Sequence, residues 1–309
     1  MSSNRPPSLE RRAHRCRASS TNVPGRTAFR GAAVCSRVVK SRIDAASMSR
    51  PDAATRRARD VKIRQYWNHR IHDTELGDHP RGSAAFFAAM DEYRLRKSAY
   101  LTRTVPFDAW AGSDVLEIGC GPGLDLMRFA KGGARVTGVD VAETAVDLAR
   151  GYFAVSGQPG QLLVADGAAL PFRDESFDLV YCHGVLAFAG DPAAIVNEAR
   201  RVLRPGGRAV LMVYNRHSWM NVLARGFGLT LGHADAPAFR MHTRKEFASL
   251  LADFQEVRIT GERLPAPTRT GTGRGSTIMN RLVAAGLCLI PERWLRATGW
   301  HLMAFCRKE

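Results

Sequence analysis

Residues 114–126 read DVLEIGCGPGLDL: an apolar run, a turn with glycine at 119, 121 and 123, and the opening of a second apolar pattern. The run up to Ile118 is short and rich in Val, Leu and Ile, as a buried strand requires. From Leu124 onward the apolar spacing becomes helical (LDLMRFAKGG). Three alternate glycines let the backbone turn sharply and approach a ligand closely, because no Cβ stands in the way. The helix that follows presents its N-terminus at the same place. Glycine spacing separates two cofactor classes at such a turn. The dinucleotide fingerprint G-x-G-x-x-G requires glycine at position 124. Leu124 stands there, and the spacing is G-x-G-x-G.

Downstream of this unit the pattern repeats. RVTGVD (135–140), QLLVAD (161–166), FDLVYCH (177–183) and RAVLMVY (208–214) are strand-like, and AETAVDLARGYFA and PAAIVNEARRVL between them are helical. Strands alternating with helices predict βαβ units and a parallel sheet covered on both faces. Asp191-Pro192 supplies a cap and first-turn proline for the helix before the fifth strand. Pro205-Gly206-Gly207 is read as closing it. After Tyr214 the alternation breaks: 215–242 shows no clear strand, TRKEFASLLADF (243–254) reads as a helix and FQEVRITGERL as a strand. Residues 265–300 form a second insertion, with a glycine- and arginine-rich loop (Arg269 to Arg274) and an apolar helix (Ile278 to Ile290). HLMAFCRK (301–308) is the last strand. Upstream, Val61 to Val105 is helical in pattern, and order is expected to begin near Asp60.

The chain has 309 residues and a net charge of +16, half of it in residues 1–47, where nine Arg and Lys40 face only Glu10 and Asp44. Residues 1–47 are placed outside the fold as a disordered basic extension; an organellar transit peptide, or a translation start at Met48, are the other readings. The charge suits an anionic partner. With 39 Arg against six Lys, it also suits a GC-rich coding bias. Six cysteines without a C-x-x-C suggest neither disulfides nor a metal, and a reducing cytoplasm. The longest apolar stretch, Leu282 to Pro291, is about half a bilayer span.

The ends of the strands carry the chemistry. Asp140 ends the second and can accept hydrogen bonds from both hydroxyls of a ribose, whether of NAD or of another nucleoside. The third ends in Asp166-Gly167, within VADGAALPFRDESFDLVYCHGVL, and this pair can meet an adenine. Together with Glu117 before the glycine turn and LRPGGRAVLMVYN (203–215), these segments resemble the class I S-adenosylmethionine-dependent methyltransferases, in particular the methyltransferase type 11 group with its ubiquinone- and menaquinone-pathway members. The resemblance covers about residues 60–309 and is strongest over 114–214. It implies a Rossmann-like α/β fold: a seven-stranded, mostly parallel sheet with helices on both faces, HLMAFCRK antiparallel, an N-terminal helical lid (48–110), and a cofactor-binding domain (111–309) with insertions at 215–242 and 265–300. It implies S-adenosylmethionine as cofactor, with Gly119, Gly121 and Gly123 near its methionine part, Asp140 at the ribose, and Asp166 with Gly167 at the adenine. Ala187 and Phe188 stand where many relatives have histidine, which sets this chain apart from a histidine mechanism.

His183, at the end of the fourth strand, is the candidate catalytic base or a cofactor contact. Tyr66, Trp67 and His217 are the candidate acceptor contacts; the aromatic pair reads equally as helix packing. His69 and His72 lack a third ligand, so no metal is expected. The acceptor is expected to be a small molecule, hydrophobic if the insertions shape its pocket. An RNA methyltransferase and a non-catalytic S-adenosylmethionine-binding protein are the alternatives. An RNA-binding module is not visible, and CHGV stands where base-amino methyltransferases carry Asn-Pro-Pro-Tyr.

Overall fold

The computed structural model describes residues 53–71, 79–227, 235–263 and 291–309. The expectations for 1–47, His72 and most of 265–300, including its apolar helix, lie outside the described residues.

The described chain builds α1 (Ala53–His69), α2 (Ala84–Lys97), α3 (Leu101–Thr104), β1 (Asp114–Ile118), α4 (Leu124–Lys131), β2 (Arg135–Asp140), α5 (Glu143–Ser156), β3 (Gln161–Val164) and β4 (Phe177–Cys182). Then come α6 (Pro192–Val202), β5 (Leu203–Tyr214), α7 (Trp219–Phe227), α8 (Arg244–Leu250), β6 (Gln255–Glu262), α9 (Glu292–Ala297) and β7 (His301–Arg307). The strands form one seven-stranded sheet in the order β3-β2-β1-β4-β5-β7-β6. β1 to β5 run parallel, and β7 is antiparallel to both β5 and β6. This is the class I methyltransferase architecture that the resemblance implied.

Successive strand residues point to opposite faces, and the two faces fill two cores. Val115, Leu179, Tyr181, Val210 and Met212 pack with Phe87, Met90, Phe129 and Val146 from α2, α4 and α5. Their neighbours Leu116, Val180, Cys182, Leu211 and Val213 pack on the other face with Ile195, Val202 and Phe247 from α6 and α8. Because both faces are covered, the central strands are apolar throughout rather than alternating. Leu211, fully buried, would cost about 2–5 kcal/mol on truncation to alanine. Cys120, Cys182 and Cys306 are buried free thiols.

Several boundaries differ from the sequence reading. The first helix begins at Ala53, before the apolar pattern that marked Asp60 as the start of order. β3 stops at Val164 and β4 at Cys182, so Asp166 and His183 sit in the loops just beyond their strands. Pro205-Gly206-Gly207 does not end α6: the helix stops at Val202, and the triplet lies inside β5. There Gly206 takes φ +77°, which a residue with a Cβ would resist. Asp191 does cap α6, its side chain accepting from the Ala194 N–H at 3.1 Å with Pro192 in the first turn. The 215–242 insertion contains α7, and Asn215 bridges to His242.

Candidate functional site

The carboxyl ends of the strands open into a cavity of about 290 Å³, close to the lower limit of small-ligand sites. Its first half surrounds the glycine turn. Gly119, Gly121 and Gly123 take φ of +72°, +52° and +78°, the left-handed region that favours glycine. A Cβ on Gly119 would lie 2.0 Å from Val185 Cγ2, so the loop after β4 is seated on bare backbone. A Cβ on Gly121 would meet nothing within 4 Å, and this residue lines the cavity.

Asp140 ties this turn to the next one. Its Oδ2 accepts from the Gly121 N–H and its Oδ1 from the Ala142 N–H, both at 2.9 Å. Burial raises its carboxyl above the usual range, while these backbone donors and that of Val141 pull the other way. A carboxylate has about four acceptor positions. The Gly121, Ala142 and Val141 donors draw on three of them, which leaves room for a hydroxyl donor. Asp166 reaches the Ala168 N–H at 2.9 Å and lines the cavity with Gly167. Glu117 is 4% exposed, its Oε2 has no hydrogen-bond partner, and burial followed by the Asp125 charge raises its carboxyl well above the usual range. A buried orphan carboxyl oxygen on a cavity wall is the signature of a polar ligand site.

The second half of the cavity is built on β4, β5, β7 and the end of β6. Trp67 of α1 packs edge-on against Phe188 at 5.1 Å between ring centres, and both line the wall. α1 is fastened over the site by Asn68, whose carbonyl accepts from Thr144 Oγ1 at 3.0 Å. Beneath these rings lies a polar chain that the sequence did not reveal. Asp125, in the first turn of α4, is 3% exposed and ion-paired with Arg94. Tyr181 donates to its Oδ2 at 3.0 Å. Arg94 Nη2 lies 3.1 Å from His183 Nδ1. The Tyr100 hydroxyl lies 2.6 Å from both His183 Nε2 and His301 Nδ1. Arg263 Nη1 lies 3.5 Å from His301 Nε2.

Burial alone would raise the Asp125 carboxyl, but the charge and hydrogen bonds of Arg94 outweigh it and bring it down to about 2. Burial, then the Arg94 charge, push His183 down to about 3. Burial, then His183 and Arg263, hold His301 well below the histidine range. Both imidazoles are therefore neutral in the folded protein.

Of the residues singled out from sequence, Glu117, Gly119, Gly121, Asp140, Asp166, Gly167, Trp67 and His183 line one cavity. Three sit elsewhere among the described residues. Gly123 faces Ala149 and Phe153 of α5, where a Cβ would come within 3.2 and 3.3 Å, so it serves helix packing. Tyr66 turns outward and donates to Asp235 Oδ1 at 2.9 Å. His217 is exposed, its backbone N–H bound to Asn215 Oδ1 at 3.0 Å. The sequence reading passed over Arg94, Tyr100, Asp125, His301 and Arg263. His301 had one signal: a histidine opening an otherwise apolar final strand, at the ligand-bearing edge of the sheet. Among the described residues there is no group of three metal-ligating side chains and no helix long and apolar enough to cross a membrane.

Residues 116–211 match the family model described as Methyltransferase domain. The chain is 38% identical over 116 residues to the ubiquinone biosynthesis O-methyltransferase of Idiomarina loihiensis, covering 37% of this chain and 48% of that protein. It is 33% identical over 150 residues to the 27-O-demethylrifamycin SV methyltransferase of Amycolatopsis mediterranei, covering 48% and 52%. Thus the chain spans about half the length of the curated relatives it matches. A chain in the solved complex of the Haloferax volcanii Trm112 methyltransferase activator superposes with a TM-score of 0.50 at 21% identity, covering 73% of this chain and 95% of that one. That likeness concerns the fold alone.

Proposed function

We propose that this chain, which carries a class I S-adenosylmethionine-dependent methyltransferase domain over residues 116–211, transfers a methyl group from S-adenosylmethionine to a small acceptor with a hydrophobic body. The observation that carries this reading is the single cavity that joins the glycine turn to Trp67, Phe188 and His301. A nucleoside cofactor and an acceptor can meet there without crossing solvent.

The residues fit the cofactor. Open space beside Gly121, the unpartnered Glu117 oxygen and the remaining acceptor capacity of Asp140 suit a ligand rich in hydroxyl and amino donors. Asp140 would hold the ribose, Asp166 and Gly167 the adenine, and Gly119 and Gly121 the methionine part. When bound, S-adenosylmethionine supplies a methyl carbon on a cationic sulfur, an electrophile with its own leaving group. The protein's own task is then to bind, orient and exclude water. Trp67, Ile63 and Ile71 cover the cavity from the α1 side.

His183 does not act as a free base in this arrangement. Its Nδ1 faces a donor that never releases its proton, and its Nε2 is engaged by Tyr100. It orients its neighbours instead. The relatives named for O-methylation favour an oxygen acceptor.

The test is S-adenosylhomocysteine formation by the full chain from S-adenosylmethionine and a panel of hydroxyaryl compounds, with RNA as a separate arm. Turnover above the acceptor-free rate with a hydroxyaryl compound supports the proposal. Turnover with RNA alone would replace it.

A further inference from the structure

The hydrogen-bond directions along the buried polar chain can be read from one end. Arg94 has only donors, so His183 Nδ1 accepts and His183 carries its proton on Nε2. That proton points at the Tyr100 oxygen, 2.6 Å away, so the Tyr100 O–H has His301 Nδ1 as its acceptor, also at 2.6 Å. His301, held neutral, must then carry its own proton on Nε2. This N–H lies 3.5 Å from Arg263 Nη1, which is itself a donor. In this tautomer two donors face each other on the cavity wall, with no acceptor between them among the described residues.

Among the described residues Arg263 makes no ion pair with a carboxylate, although Glu262 beside it pairs with Arg296 at 2.8 Å. The sequence that follows, 264–290, contains no Asp or Glu. Arg263 also takes φ +53°, a backbone conformation that costs a non-glycine residue energy and concentrates at ligand sites. Trp219 and Trp300 hold it there, both donating to the Arg263 carbonyl, at 3.2 and 3.4 Å.

We propose that Arg263 and His301 Nε2–H form a carboxylate-binding pair, and that the methyl acceptor is an amphipathic acid. Its carboxylate sits between these two donors, and its apolar body lies against Trp67 and Phe188. This deepens the methyltransferase reading and rests on it. The cofactor also has a carboxylate; the place of Arg263 in the sheet favours the acceptor, and the S-adenosylhomocysteine readout below tells the two apart. Arg263 follows β6, four strands from the β1 glycine turn in the sheet order. At about 4.8 Å per strand the two backbones are roughly 19 Å apart, while the Arg263 side chain reaches back to His301, whose ring centre lies 5.4 Å from that of His183.

The experiment measures binding of benzoate, 3-phenylpropionate and their para-hydroxy forms, each beside its primary amide, to the full chain with and without S-adenosylhomocysteine. At least one acid should bind about tenfold or more tighter than its amide, as a charge-assisted hydrogen bond implies. Arg263→Gln should bring that ratio close to one while S-adenosylhomocysteine affinity stays within about twofold, and Arg263→Lys should keep part of it. Arg263→Gly, which relieves the backbone, should lose the ratio yet melt no lower than the native protein, separating function from folding. Equal binding of acids and amides by the native chain overturns the proposal, as does a ratio that survives in Arg263→Gln. A parallel loss of S-adenosylhomocysteine in Arg263→Gln would also overturn it and assign the pair to the cofactor. If S-adenosylhomocysteine never binds, the methyltransferase reading falls, and the ratio on the ligand-free chain decides the anion site alone.

Discussion

Arg94 Nη2 lies 3.1 Å from His183 Nδ1, and that contact makes His183 an acceptor at Nδ1 and a donor at Nε2. The same contact, with burial, keeps the ring neutral down to about pH 3, whereas an unfolded histidine titrates near 6.5.

A stability–pH signature follows from that difference. Between about pH 6.5 and 3 the unfolded chain binds a proton at this position that the folded chain refuses. Stability contributed here is complete above the unfolded value and falls as pH drops, by at most about 1.4 kcal/mol per pH unit. Glu117, whose carboxyl is raised, acts with the opposite sign, so the readout is a difference. Urea melts at pH 7 and 5 should show a smaller acid-induced loss for His183→Gln than for the native chain. Identical losses would mean that the imidazole titrates normally.

Arg94 and Asp125 form a pair whose members need each other. Arg94→Met strands a carboxylate that is 3% exposed, at a cost of about 3–5 kcal/mol. Arg94→Met with Asp125→Asn removes the stranded charge and should recover part of that loss. The double-mutant cycle should therefore be strongly non-additive. Additive melting shifts would contradict the pairing.

Gly119 and Gly121 separate folding from binding. Gly119→Ala places a Cβ 2.0 Å from Val185 and should cost about 3 kcal/mol from overpacking and strain together. Gly121→Ala meets no atom within 4 Å. It should cost only about 1 kcal/mol in backbone strain, while lowering S-adenosylhomocysteine affinity at least tenfold. Thermal melts alongside calorimetry check both. Equal effects of the two variants on stability would refute the assignment.

The half of the cavity proposed to hold the nucleoside was legible because its signals are local. Glycine spacing, Asp140 at a strand end and Asp166-Gly167 each occupy a few consecutive residues, and Gly119, Gly121, Asp140, Asp166 and Gly167 lie on the cavity wall. Gly123 lies against Ala149 and Phe153, and spacing alone does not distinguish contact with a ligand from such close packing. His217 was chosen for its residue type after a strand, but the turn at Asn215 leaves it in solvent. The polar chain was invisible for a topological reason. Arg94, Asp125, His183 and His301 come from α2, α4, the β4 loop and β7, and only the crossover that sets β7 between β5 and β6 brings them together.

The central claim is cofactor identity, and calorimetric titration of the full chain with S-adenosylmethionine, S-adenosylhomocysteine and NADH tests it most directly, beside Asp140→Ala. Asp140 organises both the Gly121 and Ala142 backbone donors. Micromolar binding of the two sulfur nucleosides, a loss of at least tenfold in the variant, and no binding of NADH are expected. Binding of NADH alone, or of none of the three, would contradict it.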